Sequence, residues 1–363
     1  MRTRIRTTAA IAALTLTAAA CGGDSGAGAP QAADCVAGQT DGDLRLYNWA
    51  DYMDDDIIAD FEAEFGVSVI QDFYPSNEEM QARVAAGGAQ YDIVVPSDYM
   101  VALLIEDDLL LPLTRDAIPN IANIDSEFAD PPYDPGMRHS VPFLWGTTGL
   151  GVNVALLGDV EPSWDLVFDP DVAGNLPGRV LLLDDPRETM GAALLWLGLD
   201  PNTTDEDDLR AASDAVATAR DWTAAFNSDL YAELLLSGEV VVSHGYSGNF
   251  LEAFDGDESY AYVVPKEGAT IWVDNMAILA AAPHPCTAHT FLDFVLRPEQ
   301  HARLTNYILY PSPNALAAEF IDADILSNRT VYPDAETRSR LQFLRDTGDT
   351  EVLYTDLFTR ARS

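Results

Sequence analysis

The segment YDIVVPS, which runs from Tyr91 to Ser97, decides the class of fold that this sequence predicts. Residues 91–95 are nearly all apolar, and such a run is expected of a parallel strand that is covered on both faces. Short apolar runs alternate with helical periods on both sides of it. This alternation predicts an α/β fold in which right-handed crossovers join the strands of the sheet.

The alternation extends over nearly the whole chain. Before residue 91 the predicted elements are strands at 44–49 and 67–73 and helices at 54–66 and 77–88, with Asn77 as the cap of the second helix. After residue 148 they are strands at 149–154, 180–183, 239–243, 260–264 and 271–281 and helices at 188–199, 205–226, 288–296 and from Pro298 onward. Two α/β lobes with a cleft between them are the architecture that this order favours.

The composition is strongly acidic, with 59 acidic residues, 20 basic residues and a net charge of −39. Nucleic acid is excluded as a partner, because phosphate binding needs a basic face. The negative field would concentrate a cationic ligand. However, Lys266 is the only lysine, so a bias of the whole composition explains the charge equally well. The charge therefore permits a cationic ligand without identifying one.

The first twenty residues have the pattern of a secretory signal peptide. Three arginines within the first six residues precede an apolar stretch at 9–19. That stretch is too short to span a membrane as a helix. We therefore predict that residues 1–20 are a signal peptide and that the protein is exported.

Small residues at 18–20 run directly into Cys21. This arrangement resembles a bacterial lipobox, in which the cysteine is acylated and becomes the mature N-terminus. The alternative is an ordinary signal peptide with a chance cysteine. Residues 21–42 are rich in Gly, Ala, Ser and Asp and are predicted to be a lipidated flexible tether. We expect the protein on the outer face of the cytoplasmic membrane, in a periplasm or at the cell surface.

Two further cysteines, Cys35 and Cys286, remain in the mature chain. In an oxidising compartment they could pair and hold the end of the tether against the folded body. The alternative is two free thiols.

The nearest match to a catalytic motif is SHGYSGN at 243–249, directly after a predicted strand. A nucleophile elbow needs glycine two places after its serine, where this chain has Asn249. The spacing of His284, Cys286 and His289 matches no zinc site, and neither a phosphate-binding glycine loop nor a calcium loop is present. We therefore expect no enzyme, metal or cofactor. A secreted serine hydrolase that uses Ser247 and His244 is the alternative from another class.

Aromatic and acidic side chains recur together where predicted strands end. The segments that carry them are Trp49-Ala50-Asp51-Tyr52, Ser97-Asp98-Tyr99, Asp184-Asp185-Pro186-Arg187-Glu188 and Trp272-Val273-Asp274. An aromatic face attracts an ammonium group by about 0.5 to 2 kcal/mol, and a carboxylate adds a charge-assisted hydrogen bond. The combination suits an alkyl ammonium ligand, although each element alone is more typical of a turn or a half-buried ring.

Over residues 43–350 the chain resembles the spermidine/putrescine-binding receptors of polyamine ABC importers. The matching segments are YNWADY at 47–52, YDIVVPS at 91–97, PFLWGTTG at 142–149, FNSD at 226–229, PKEG at 265–268, LRPE at 296–299 and YPSPN at 310–314. The resemblance implies a type II periplasmic-binding-protein fold, with a ligand cleft between two lobes and two chain crossings. It implies residues 43–147 plus 273–318 as lobe 1 and 148–272 plus 319–363 as lobe 2.

The resemblance also implies a ligand set. Its members are Trp49, Asp51, Tyr52, Ser97, Tyr99, Asp185, Glu188, Ser228, Tyr246, Trp272, Asp274 and Tyr310. Asp185, Glu188 and Asp274 are expected to hold ammonium groups, and Trp272 the methylenes between them. Three positions depart from the family pattern. Tyr246 replaces a tryptophan, Leu344 stands where the spermidine pattern has a glutamine, and Asn249 stands where putrescine-preferring members have an aspartate.

We therefore expect a monomeric, lipid-anchored receptor that captures a polyamine, spermidine or putrescine. Its expected partners are an ABC permease and the ATPase of that importer. A receptor for another small cationic or zwitterionic solute, such as an opine or an amino-acid derivative, is the alternative. A ligand that carries its own carboxylate should need an arginine in the cleft, and Arg187 is the candidate.

Overall fold

A computed structural model describes residues 34–87, 90–158, 160–176 and 178–363. The predicted signal peptide and Cys21 lie outside this part of the chain. The strands are β1 (Leu44–Asn48), β2 (Val69–Phe73), β3 (Ile93–Val94), β4 (Ser140–Asn153), β5 (Arg179–Leu182), β6 (Thr223–Phe226), β7 (Val240–Tyr246), β8 (Tyr260–Val263), β9 (Ala269–Ile278) and β10 (Leu341–Phe343).

The helices follow the same alternation. They are α1 (Asp55–Phe65), α2 (Asn77–Ala85), α3 (Asp98–Glu106), α4 (Val154–Leu157), α5 (Asp165–Phe168), α6 (Pro186–Trp196), α7 (Glu206–Ala219), α8 (Tyr231–Leu236), α9 (Ser247–Phe254), α10 (Pro285–Val295), α11 (Pro298–Ile308), α12 (Ala323–Ser327), α13 (Ala335–Arg338) and α14 (Glu351–Arg362). Within the described part of the chain, none of these helices has the length and apolar character that crossing a membrane requires.

The strands join one sheet in the order β2-β1-β3-β9-β4-β7-β5-β6, with β8 beside β4 and β10 beside β9. Strands β1, β2 and β3 are parallel, as are β5, β6 and β7. The two long strands in the middle, β4 and β9, are antiparallel to each other. The predicted α/β class is confirmed, and the sheet contains a parallel block at each end.

Strand β4 begins nine residues before the predicted start at 149. Its first part pairs with β9, from Ser140 opposite Ala277 to Thr148 opposite Thr270. Its last part pairs with β7 and β8. Every residue of β4 is buried, so the strand has no alternation of polar and apolar residues that could mark its beginning in the sequence.

Two large apolar cores lie at the two ends of these long strands. The first core contains the fully buried rings of Phe61, Phe143 and Phe291. The second contains those of Trp164 and Phe168. We call the parts of the chain that pack on each core the first and the second lobe. Strands β4 and β9 are the two long segments that run between them.

The segment that follows α11 packs on the first core. Ile321 packs with Ala302 and Ala317, and Tyr332 packs against the first core. The second core receives its last contribution from α14, where Tyr354 is fully buried. The chain therefore stays with the first lobe until after Tyr332, because its apolar side chains find their partners there.

Two local predictions are wrong. The helix predicted over 205–226 ends at Ala219, and Thr223–Phe226 instead forms β6, where Phe226 pairs in parallel with Leu182 of β5. Helix α2 is capped by Ser76, whose side chain accepts from the backbone N–H of Glu79, and not by Asn77. In each case tertiary contacts decide the outcome, because β6 completes the edge of the sheet and Asn77 is drawn toward the cleft.

The chain before β1 is fixed onto helix α10. A disulfide joins Cys35 to Cys286, with 5.2 Å between their Cα atoms. The Asp41 carboxylate accepts from the backbone N–H of Thr287 (3.0 Å), and the Thr290 hydroxyl donates to the carbonyl of Gln39 (2.7 Å). Residues 35–42 are thus part of the first lobe, and the predicted flexible tether is too long by these residues.

Candidate functional site

The site begins where β3 ends beside β9. The antiparallel register of these strands places Ser97 opposite Asp274. The Ser97 hydroxyl donates to the Asp274 carboxylate over 2.7 Å, and the Asn77 amide donates to the Ser97 hydroxyl over 3.1 Å. Burial raises the pKa of Asp274 to about 6, against the lowering effect of the hydrogen bond from Ser97. This carboxylate is therefore buried and loses part of its charge near neutral pH.

Four aromatic rings line the space next to Asp274. The centroid of Trp272 lies 5.0 Å from that of Tyr310 and 6.1 Å from that of Tyr246, in edge-to-face contacts. Tyr52 meets Tyr310 at 6.0 Å. Burial, and next the negative charge of Asp274, raise the pKa of Tyr52 well above its usual range. Neutral rings therefore form an apolar, polarisable wall beside the carboxylate.

Glu188 provides the second acidic centre. It lies in the first turn of α6 and is buried. Its carboxylate accepts from the Thr148 hydroxyl of β4 (3.0 Å) and from the Thr270 hydroxyl of β9 (2.6 Å). Burial, and next the charge of Asp185, raise the pKa of Glu188 to about 7. One acidic side chain of the second lobe is thus held by both strands that connect the lobes.

Asp185 caps the helix that carries Glu188. Its side chain accepts from the backbone N–H groups of Arg187 (2.9 Å) and Glu188 (3.0 Å). Burial raises its pKa, and the charge of Glu78 adds to the rise. Glu78 belongs to α2 of the first lobe, where it accepts from the Tyr99 hydroxyl over 3.0 Å. The carboxylates of both lobes therefore face one another across the cleft.

A further buried carboxyl group, that of Asp98, lies near Asp274. The side chain is 2% exposed. It accepts from the backbone N–H of Tyr99 (2.8 Å) and of Val273 (3.4 Å). Burial, and next the charge of Asp274, raise the pKa of Asp98 to about 8.

These acidic side chains have no basic partner in the described ranges 34–87, 90–158, 160–176 and 178–363. None of the salt bridges there includes Asp98, Asp185, Glu188 or Asp274. Buried charges are normally paired. Because no basic side chain of the described part of the chain pairs with these acidic groups, the arrangement favours a ligand with more than one positive charge.

Arg187 is the basic side chain closest in sequence to these carboxylates, but its guanidinium points to another set of partners. It pairs with Glu351, donates to Asn202 Oδ1 over 3.2 Å and lies over the Tyr354 ring at 4.5 Å. A guanidinium engaged in this way is not available to a carboxylate on a ligand. The structure therefore disfavours a zwitterionic ligand held by Arg187.

The two lobes touch across the cleft. The Tyr310 hydroxyl of the first lobe donates to Asn249 Oδ1 of the second over 2.6 Å. Close to the crossing, the backbone N–H of Thr147 donates to the Ser247 hydroxyl over 3.4 Å. The conformation is therefore a closed one, in which the acidic and aromatic side chains are shielded from water.

Three further residues of the predicted ligand set have other surroundings. Asp51 is exposed and has a left-handed backbone (φ 54°), at a surface pocket of about 150 Å³. The indole N–H of Trp49 donates to the carbonyl of Val95 over 2.8 Å. Ser228 is half-buried just after β6. For the whole predicted set, contact with a ligand stays a prediction.

Several side chains of this group were not predicted as site residues. Asn77, Glu78, Asp98, Thr148 and Thr270 all contact or face the predicted members. Asp98 stands between two predicted residues, and Thr148 lies in the PFLWGTTG segment. Their positions in the sequence could therefore have indicated both as site residues. Nothing in the local sequence marks Thr270.

The serine hydrolase alternative finds no support in the geometry of its two residues. The His244 ring packs edge-to-face on Trp164 at 5.2 Å, and burial lowers its pKa to about 3. Ser247 instead accepts from the N–H of Thr147. His244 therefore packs against the second core, and Ser247 takes part in the contact between the lobes.

Comparison with known proteins places the chain in a family. The model of the family described as "Bacterial extracellular solute-binding protein" matches residues 56–330. The chain is 36% identical over 312 residues to the putrescine/cadaverine-binding protein of Pseudomonas aeruginosa, covering 84% of this chain and 88% of that one. It is 33% identical over 323 residues to the spermidine/putrescine-binding periplasmic protein of Salmonella typhimurium, covering 88% and 91% of the two chains.

Solved structures agree with this placement. A putative spermidine/putrescine ABC transporter protein from Listeria monocytogenes superimposes with a TM-score of 0.83 and 34% identity, covering 89% of this chain and 99% of that one. Neighbours of this kind have the two-lobed fold, as predicted for this chain. On the match of its family model and on these relatives, the chain belongs to the bacterial extracellular solute-binding proteins.

Proposed function

We propose that this protein captures a polyamine, spermidine or putrescine, between its lobes and delivers it to the permease of an ABC importer. The observation that carries the proposal is the set of buried carboxyl groups next to aromatic rings, without a basic partner in the described part of the chain. The names of the relatives, which mention putrescine, cadaverine and spermidine, support the same class of ligand.

The two acidic centres suit the two ends of an alkyl diamine. One ammonium group would bind at Asp274 of the first lobe and the other at Glu188 and Asp185 of the second. Each would make charge-assisted hydrogen bonds, which are about twice as strong as neutral ones. The rings of Trp272 and Tyr310 would cover the methylenes between the two ends.

The same residues would bind without performing chemistry on the ligand. In the closed conformation without a ligand, burial raises the pKa of Glu188 and of Asp274, so part of these carboxyl groups is protonated near neutral pH. An incoming ammonium group favours their ionised forms and so tightens its own binding. The tyrosines stay neutral because burial raises their pKa values. We therefore infer capture and release rather than catalysis.

Closure of the lobes would signal occupancy to the membrane partner. The contact between Tyr310 and Asn249 joins the lobes at the cleft and forms only when they are close. A permease that recognises the closed form, together with its ATPase, would receive loaded receptors preferentially. The receptor would act as a monomer, since one chain supplies both sides of the cleft.

Calorimetric titration with putrescine and spermidine is the decisive test. The mature chain with Cys21→Ser, which cannot be acylated, is expected to bind at least one of them with measurable heat and a rise in Tm. Glucose serves as an uncharged control ligand. Absence of both heat and thermal shift at millimolar polyamine would refute the proposal.

We further propose that Cys21 is acylated and anchors the protein to the outer face of the cytoplasmic membrane. The support is the lipobox-like run of small residues at 18–20. When cells are fed an alkyne fatty acid, the parent protein should become labelled and the Cys21→Ser variant should not. Equal labelling of the two, or release of both into the soluble fraction, would contradict the anchor.

A further inference from the structure

Asp98 differs from the other acidic residues of the cleft in its position. It is the first residue of α3, directly after Ser97, and its side chain turns inward, where it is 2% exposed. Most aspartates at helix starts accept backbone N–H groups while facing water. Asp98 has the same kind of partner, the N–H of Tyr99, but no comparable access to water.

The second hydrogen bond of Asp98 reaches the strand that carries the ligand residues. Its carboxyl accepts from the backbone N–H of Val273 over 3.4 Å. Val273 lies between Trp272 and Asp274. Asp98 therefore links the start of α3 to the part of β9 that presents both the aromatic wall and the acidic centre.

The groups that face Asp98 are acidic or neutral. Asp274 approaches from β9 and Glu188 from α6, and the charge of each opposes ionisation of Asp98. Tyr133, in the loop before β4, is half-buried. Burial, and next the charge of Asp98, raise the pKa of its hydroxyl group. On its own helix the neighbour is Tyr99.

We propose that Asp98 is a positioning residue of the cleft whose carboxyl group holds a proton in the empty protein and loses it when the cationic ligand binds. In this step the O–H bond of the carboxyl breaks, the electron pair stays on the carboxylate, and the proton passes to the buffer. The resulting charge adds to the attraction of the ligand and strengthens the hydrogen bond to Val273. This inference rests on the proposed function.

The supporting electrostatics are consistent with this role. Burial, followed by the charge of Asp274, raises the pKa of Asp98 to about 8, so the group is mostly protonated at pH 7.5 in the empty protein. Glu188, with a pKa of about 7, and Asp274, with one of about 6, are mostly ionised at that pH. Asp98, which is the most deeply buried of the three, is therefore the group to test as the source of a proton released on binding at pH 7.5.

The test measures how many protons the protein releases when putrescine binds. Putrescine is titrated into the Cys21→Ser chain at pH 7.5 in two buffers that differ in ionisation enthalpy, and the difference in heat gives the protons released per ligand. Putrescine itself stays charged, because alkyl ammonium groups titrate near pH 10.4. We expect release of about one proton by the parent and markedly less by Asp98→Asn. Asp60→Asn, on the outer surface, should behave like the parent.

Affinity provides the second readout. At pH 8.5 Asp98→Asn should bind putrescine roughly tenfold more weakly than the parent, because a negative charge near the cationic ligand is lost in a poorly solvated site. Asp98→Ala, which also loses the acceptor for Val273, should bind more weakly still. Equal proton release by Asp98→Asn and the parent, with both binding putrescine, overturns the inference and leaves the proposed function intact.

A measurement on the parent chain alone guards against a variant that does not fold. Between pH 7.5 and 8.5, proton release on binding should fall about fourfold as Asp98 becomes ionised in the empty protein. Constant release over this interval overturns the inference. Absence of any putrescine binding by the parent overturns the proposed function itself.

Discussion

On the outer face of the first lobe, the Arg303 guanidinium pairs with three carboxylates at once, those of Asp54, Asp56 and Asp60. In the cleft, the side-chain partners of Asp274 and Glu188 among the described residues are hydroxyl groups. The pKa values differ accordingly. The hydrogen bond from Arg297 lowers the pKa of Glu64 on the outer face, whereas burial raises the pKa of Glu188 to about 7.

The contrast teaches where the net charge of −39 matters. On the outer face, carboxylates are either paired with arginine or exposed to solvent, and the composition sets solubility more than function. Inside, the positive partner has to come from the ligand. Five predictions test this division, two on pH and three on single substitutions, and within each group the larger effect comes first.

The largest expected effect is that of pH on ligand affinity. Between pH 8 and pH 6, protonation of Asp98, Glu188 and Asp274 should weaken putrescine binding by about 100-fold or more, because each group that must ionise for binding contributes up to tenfold per pH unit. Calorimetry at half-unit intervals measures the dependence. An affinity that is flat over this range would place the raised pKa values outside the binding site.

The empty protein should show the opposite dependence. Its cleft carboxyl groups have higher pKa values when folded than when unfolded, so the folded state binds more protons between about pH 4 and pH 8. Their contribution to the free energy of unfolding therefore falls as pH rises through this window. Putrescine should consequently raise the Tm more at pH 8 than at pH 6.

The next largest effect is expected for Asp274→Asn. Loss of this buried carboxylate should weaken putrescine binding by roughly 100-fold, because one ammonium group would lose its charged partner in a site closed to water. Asp60→Asn is the matched control on the outer face and should leave affinity within about twofold. Similar affinities for the two variants would mean that Asp274 does not contact the ligand.

Glu188→Gln should have a smaller effect, roughly 30-fold. Asp185 lies next to it and would retain part of the negative charge, while glutamine keeps an oxygen for one of the two threonine hydroxyls. Glu64→Gln is the matched control. An effect of Glu188→Gln greater than that of Asp274→Asn would reverse the proposed order of the two acidic centres.

The smallest effect is expected for Arg303→Ala. Three exterior carboxylates lose their partner, yet all are at least partly exposed, so the free energy of unfolding should fall by only about 1 kcal/mol. Urea unfolding measures this change. Putrescine affinity should not change, and a marked loss of affinity would show that the two regions are coupled.

Much of the fold could be predicted from local patterns, and the failures have a common cause. Strand β3, which forms at Ile93–Val94 within the predicted run 91–95, and the helix that begins after Asp54 are visible in the sequence because burial and capping act over a few residues. Thr223–Phe226 looks helical, but pairing with β5 overrides its local preference. The first part of β4 was missed because it is buried on both faces by segments far away in sequence.

The site was predictable to the extent that the family resemblance covers it. The pairing of Ser97 with Asp274 and the position of Glu188 on α6 fit the predicted set. Asp98 belongs to one of the acidic and aromatic segments visible in the sequence but not to the predicted ligand set, and only the tertiary structure reveals its burial. Thr270 was overlooked because its partner, Glu188, lies 82 residues away.

The two hydrogen bonds that Thr148 and Thr270 donate to Glu188 also have a mechanical consequence. Strands β4 and β9 form a two-stranded ribbon, and Thr148 and Thr270 face each other at its last pair. Such a ribbon resists sliding, which would break its hydrogen bonds, but it can bend and twist as a unit. Because both strands hold the same carboxylate, a ligand that attracts Glu188 pulls on the ribbon where it enters the second lobe.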